Sequence, residues 1–324
     1  MLQPPRSRAS TVHEKRGEGV RTIVIALGAN LLIAAAKLVA GLVAHSTAML
    51  AESAHSLADS LNEVLLGISM YRARQPAHDA HPMGHRREMF LWALIAALAS
   101  FLIGGCVSVA LAIRTMVNGG EATRPLIAWI VLAVSFIADG ASWIQSMRQA
   151  REQAREYGLG VREYLLRASD PVVRAVVVED SAALIGLLIA GGGLLITQLT
   201  KSDMPDAIAS LLIGILLGVT AVGLARPLAD FLVGRSMHAE DLQKLRAIID
   251  TSPAVESIVS LRAVYTGPEE VIVAAKVRPA PRMTVEEITR AMDDLDRNLR
   301  EASLLVADVF LDLTSGKIGA DVNR

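Results

Sequence analysis

Glu52, His55, Asp59 and Glu63 are separated by three, four and four residues in the stretch "AESAHSLADSLNE". On a helix that spacing lines them along one face. The residues around them are apolar, and an ionisable side chain near the centre of a bilayer costs about 3 kcal/mol on insertion scales. The shared face must therefore look into the protein interior or a watery cavity. His55 and Asp59, one turn apart, can reach a single metal ion. An imidazole nitrogen with a carboxylate oxygen suits zinc and its first-row neighbours. Glu52 and Glu63 lie toward the two ends of the helix and suit a structural or vestibule role better than direct ligation.

Two ligands do not complete a tetrahedral site. The other acids in apolar segments are Asp139, and Glu179 and Asp180 within "VVVEDSAALIG". Depth decides which can help. Asp59 lies about 12 residues, or roughly 18 Å, from the inner end of its helix, and Asp180 about 8 residues, or roughly 12 Å. With tilt these depths are compatible, so Asp180 joins His55 and Asp59 as a metal ligand. Asp139 sits near mid-depth, as a proton-carrying or structural acid. Lys37, one segment earlier, either snorkels outward or neutralises an acid.

A second constellation lies in "HDAHPMGHRRE", with His78, Asp79, His81 and His85. It has two readings. Imidazoles at this spacing can form a metal site at the cytoplasmic end. Alternatively, Pro82 and Gly84 make a turn and His85 packs at a helix start. The single Cys106 excludes an internal disulfide and a cysteine zinc cluster. No phosphate-binding glycine loop, nucleophile motif or HExxH appears, which argues against an enzyme.

These residues need membrane helices to position them. The 324 residues are 52% hydrophobic with a mean hydropathy of +0.42, too apolar for an ordinary soluble domain. The formal net charge of -1 gives no nucleic-acid footprint. Six segments reach the roughly 20 residues needed to span a bilayer: 22–43, 47–70, 88–116, 125–147, 172–198 and 206–225. The first two are joined by a tight hairpin around His45. Glycines in "AGGGLL" and "GILLG" suit close helix packing. Residues 1–20 read as a disordered cytoplasmic tail without a cleavable signal peptide.

Orientation follows from the basic residues. The tail to Arg21 carries five Lys or Arg, residues 71–87 carry four and residues 148–174 carry six. The three opposite loops carry only Arg124 and Lys201. This asymmetry places both termini in the cytoplasm. Domains are therefore expected at 21–225 (membrane) and 226–315 (cytoplasmic), with a C-terminal tail at 316–324.

Within 226–315 the pattern reads α-β-β-α-β, a small α+β domain. "EDLQKLRAIIDT" and "TVEEITRAMDDLDRNLRE" are helical, the second with Thr284 and Glu287 forming a capping box. "SIVSLRAVYT", "EVIVAAKVR" and "VADVFLDLT" read as strands. Only His238 lies beyond residue 226, so this domain is expected to need no metal.

"STAMLAESAHSLADSLNEVLL" followed by "AHDAHPMGHRREMFLWAL" resembles the cation diffusion facilitator family of zinc and related divalent-metal transporters. The fifth segment resembles the branch of the animal zinc transporter 9 group. The resemblance covers residues 21–315. It implies six membrane helices, a cytoplasmic ferredoxin-like domain and a homodimer that exports metal from the cytoplasm in exchange for protons. No cofactor is implied, and zinc is the expected cargo. His55 and Asp59 match the ligand pair of the second helix. Asp180 matches the acid of the fifth, with Gly186 six residues on. Family members commonly carry His or Asp four residues before that acid, where this chain has Val176. Glu179, about 100° around an ideal helix from Asp180, and Glu52 are the candidates for a fourth ligand. The departure leaves manganese, iron or cobalt as alternative cargo. A membrane-anchored regulatory protein with a decayed site is the alternative from another class. The expected location is a bacterial inner (cell) membrane.

Overall fold

In lipid, backbone polar groups must be satisfied within the segment, so apolar spans fold as helices. The computed structural model describes residues 11–119, 125–156, 158–167, 171–268, 270–303 and 305–315. All six apolar segments are helical: α1 (Thr11–Ala44), α2 (Thr47–Ala73), α3 (Glu88–Asn118), α4 (Pro125–Glu156), α6 (Pro171–Thr200) and α7 (Met204–Val233). A short α5 (Val161–Arg167) lies in the basic stretch that had been expected as loop. Among the described residues, α3, α4, α6 and α7 are long and apolar enough to cross a membrane, while Asn30–Ala44 of α1 is a shorter apolar stretch. Glu52, Asp59 and Glu63 interrupt the apolarity of α2.

Residues 1–10 lie outside the described residues, but the backbone is already helical at Thr11. Extending an existing helix adds one bond per residue fixed, without a new nucleation cost. The tail expected at 316–324 lies outside the described residues. The hairpin at His45 is tight: His45 adopts φ 53, and Ser46 N–H donates to the Gly41 carbonyl at 3.0 Å. Within α3, Phe101–Cys106 forms a π-helical turn.

The chain divides into two compact units. The first comprises residues to Ile68, Ala93–Glu152 and Ala175–Ala225. Its core is built of small residues, with Ala40, Ala44, Ala48, Ala51, Ala128, Ala190 and Ala209 packed around Met49, Leu132, Leu187, Leu194, Ile213 and Leu217. Such residues let backbones approach closely. Gly214 of α7 has no room for a side chain, because an added Cβ would lie 2.6 Å from Val109 Cγ2 and 3.0 Å from the Gly105 carbonyl.

The second unit comprises Ser69–Trp92, Gln153–Arg174 and Arg226–Arg324. It holds α8 (Ala239–Asp250), β1 (Val255–Gly267), β2 (Glu270–Pro279), α9 (Val285–Ala302) and β3 (Val306–Leu313), in the expected α-β-β-α-β order. The sheet order is β1-β2-β3, with β1 antiparallel to β2 and β2 parallel to β3. The capping box is present: Thr284 Oγ1 accepts from Glu287 N–H, and the Glu287 carboxylate accepts from Thr284 N–H. Those bonds hold the Glu287 carboxyl below its ordinary value. In the same unit Phe90 stacks on Phe231, whose ring meets the edge of Tyr265.

Candidate functional site

The 3-4-4 stripe on α2 folds inward. Leu57, Leu61, Val64 and Ile68, on other faces of the same helix, are exposed, as lipid-facing residues should be. Glu52 and His55 are buried, and Asp59 and Glu63 line a cavity of about 230 Å³. The same cavity is bounded by Asp139 and Ser142 of α4 and by Val176, Glu179 and Asp180 of α6. Asp59 and Asp180 thus share one cavity.

His55 Nδ1 lies 3.3 Å from Asp59 Oδ1. The pair is within ion-pair distance but is not aligned as a hydrogen bond. Both ring nitrogens of His55 and Asp59 Oδ1 are buried without a hydrogen-bond partner. Buried polar atoms are ordinarily satisfied, and each orphan calls for a physical reason. A cation held between them would supply one. The π-helical turn of α3 comes close here, with an added Cβ at Gly104 falling 3.5 Å from His55 Cα. Such turns recur at functional sites.

The two acids of α6 face different neighbours. Ser142 Oγ donates to both oxygens of Asp180 at 3.3 Å. Asn62 Nδ2 of α2 donates to the Glu179 carboxylate. Glu179 lines the cavity shared with Asp59 and also a smaller one lined by His55. The 100° offset therefore does not remove it from the site, because the cavity wall extends around that much of α6. Val176 lines the cavity without offering a ligand atom. Glu63 accepts from Asn30 Nδ2 of α1 at 2.5 Å.

Lys37 does not snorkel. It is 0% exposed and lies between Glu52 and Asp139, at 3.4 Å and 3.2 Å. Asp206, at the start of α7, is a further buried acid that sequence reasoning passed over. It accepts from Ser46 Oγ at 2.8 Å, from Ala48 N–H at 3.2 Å and from Thr47 N–H. It thus caps the start of α2. It falls at the first residue of the expected segment 206–225, where nothing in the local pattern points to a partner on another helix.

The histidine loop is more nearly closed. Donor atoms of His78, His81 and His85 lie within 4.8 Å of one another, the one such group of three among the described residues. Asp79 is exposed and lies outside that group. His78 Nε2 is 3.0 Å from His85 Nε2 and 3.2 Å from His81 Nδ1. Gly84, at φ 71, makes the turn that returns the chain to His85. His85 Nδ1 is 2.5 Å from Glu88 Oε1, and Arg72 Nε donates to Glu88 Oε2 at 2.8 Å. A carboxylate behind an imidazole is the usual support of a metal-binding histidine. The two readings of this loop are compatible: Gly84 turns the chain, His85 is buried and the nitrogens converge.

The family model described as "Cation efflux transmembrane domain" matches residues 23–233. The chain is 28% identical over 297 residues to the human "Proton-coupled zinc antiporter SLC30A9, mitochondrial", covering 92% of this chain and 52% of that protein. It is 28% identical over 285 residues to "Metal tolerance protein C4" of Arabidopsis thaliana, covering 87% of this chain and 62% of that one. It is 26% identical over 245 residues to "Manganese efflux system protein MneP" of Bacillus subtilis (strain 168), covering 75% and 78%. The chain spans about half the length of the SLC30A9 relatives it matches. With the family model matched across most of its length, the chain belongs to the cation efflux, or cation diffusion facilitator, family, which comprises transporters rather than enzymes.

Proposed function

We propose that this chain exports divalent metal ions, zinc foremost, from the cytoplasm in exchange for protons. The observation that carries this reading is the buried His55–Asp59 pair with unpartnered ligand atoms, beside a cavity shared with Glu179 and Asp180. His55, Asp59 and Asp180 bind the ion, and Glu179 takes the place that Val176 cannot fill. Imidazole and carboxylates ligate only when deprotonated, so protons and metal compete for the same atoms. Alternation between inward- and outward-facing states then links metal exit to proton entry. His78, His81 and His85 form a second divalent-metal site in the loop before α3, supported by their convergence.

The assembly in this reading is a homodimer with six spans per chain, a ferredoxin-like C-terminal domain and both termini in the cytoplasm. The excess of basic residues in the N-terminal and alternate loops supports the orientation. Bacterial relatives matched over most of their length support a bacterial inner membrane. Manganese is the second cargo, favoured by the number of carboxylates around the cavity. Uptake into proteoliposomes across a panel of divalent ions tests the reading. Zinc transport above protein-free vesicles is expected, and no transport of any ion would overturn it.

A further inference from the structure

We propose that Lys37 is a tethered counter-cation that sets the metal preference of the transport site by holding Glu52 and Asp139 out of the ligand set. The inference rests on the transport reading above. It assigns a positioning role to a residue that does not itself touch the ion.

Lys37 is the one lysine or arginine wholly buried among the described residues. A buried charge is tolerated only when paired and hydrogen-bonded. The Lys37 ammonium has three N–H groups and three partners from two other helices. Nζ donates to Ser56 Oγ at 2.8 Å, to Asp139 Oδ2 at 3.2 Å and to Glu52 Oε2 at 3.4 Å. Its donors are therefore fully used, and the ammonium is held on the cavity side of α1.

The two acids it holds are poor ligands as a result. Glu52 has Oε2 on the ammonium, while Oε1 packs against Gly186 of α6, where an added Cβ would collide with it. Oε1 has no hydrogen-bond partner, but Glu52 is wholly buried and is not among the residues lining the cavity with Asp59. Asp139 reaches the cavity, but a divalent cation approaching it meets a fixed positive charge already paired to its carboxylate. His55 and Asp59, on the same helix as Glu52, keep unpartnered atoms away from the ammonium and line the two cavities that Glu179 also borders. The ammonium thus offsets part of the charge of Glu52 and Asp139 and occupies one oxygen of each, leaving a ligand set of one imidazole with carboxylates. Four ligands of that kind suit zinc, whereas two further carboxylates would favour a harder ion such as manganese, with more oxygen ligands.

The test uses the full-length protein in proteoliposomes, with zinc and manganese uptake measured separately. Lys37→Met keeps the bulk of the side chain and removes its charge. The zinc-to-manganese rate ratio is expected to fall by about tenfold, a change of about 1.4 kcal/mol in relative transition-state binding. Adding Glu52→Gln and Asp139→Asn to Lys37→Met should bring the ratio back close to wild type, because no freed carboxylate remains. A purely structural role would lower both rates together. An unchanged ratio in Lys37→Met, or a ratio still shifted in the triple variant, overturns the proposal. If Lys37→Met does not fold, Lys37→Gln takes its place in both comparisons: a shifted ratio that the added Glu52→Gln and Asp139→Asn restore supports the proposal, and an unshifted ratio overturns it. Wild-type protein that moves neither metal overturns the transport reading and this inference with it. Wild-type zinc transport with an unshifted Lys37→Met overturns this inference only.

Discussion

His55 and Asp59 stand one turn apart on α2 with Nδ1 and Oδ1 3.3 Å from each other, and neither atom has a hydrogen-bond partner. Two polar side chains buried this closely would ordinarily rotate into a hydrogen bond or find other donors. Here the neighbouring helices supply none. Donors are present nearby, but they serve other acids: Lys37 serves Glu52 and Asp139, Asn62 serves Glu179, and Ser142 serves Asp180. The nearby donors are thus engaged elsewhere, and His55 and Asp59, like Glu52 Oε1, keep buried atoms without partners.

Replacing Asp59 by alanine should lower zinc transport by about 100-fold or more, because it removes a ligand from the ion itself. The protein should remain folded, since no hydrogen bond is broken at Oδ1. Uptake rates beside thermal unfolding in detergent check both halves. Wild-type flux in the folded variant would remove Asp59 from the site.

His55→Asp should retain transport and move preference from zinc toward manganese, because a carboxylate replaces the one imidazole of the proposed ligand set. Competition between the two ions for uptake measures this. Preference unchanged or sharpened for zinc would count against ligation by His55.

Asp206→Ala should destabilise the protein by about 1–3 kcal/mol, through loss of the helix cap and of the bond to Ser46. Asp206→Asn, which keeps an acceptor oxygen, should recover part of the loss. The readout is the unfolding temperature in detergent. An unshifted Asp206→Ala would contradict a capping role.

In the folded Asp59→Ala protein, zinc should still bind at the histidine loop, and His81→Ala should remove it. An imidazole ligates only when neutral, so this binding should weaken on acidification. Equilibrium dialysis across pH reads both effects. Residual zinc that survives His81→Ala would move the site elsewhere.

The stripe on α2 was legible because helical period is a local property, and four ionisable residues at three- and four-residue steps can share only one face. The capping box at Thr284 and Glu287 was legible for the same reason. The partners across helices were not. Lys37 meets Asp139 across 102 residues and Asn62 meets Glu179 across 117, and neither spacing carries a periodic signal. Glu179 read as turned away from Asp180, since an ideal helix fixes the angle between them but not the width of the cavity they border. The π-helical turn at Phe101–Cys106 and the short α5 were also missed, because nothing in their local residue pattern separates them from an ordinary helix and an ordinary loop.

The central claim is that metal and protons compete for His55, Asp59 and Asp180 and so move in opposite directions. Its most direct measurement is zinc uptake and lumenal pH recorded together in sealed proteoliposomes with an acidic interior. Zinc is expected to enter as the lumen loses protons. An uncoupler should reduce zinc entry to the downhill component, and Asp59→Ala should abolish both signals. Zinc entry indifferent to lumenal pH and to the uncoupler would contradict exchange and indicate a channel-like pathway.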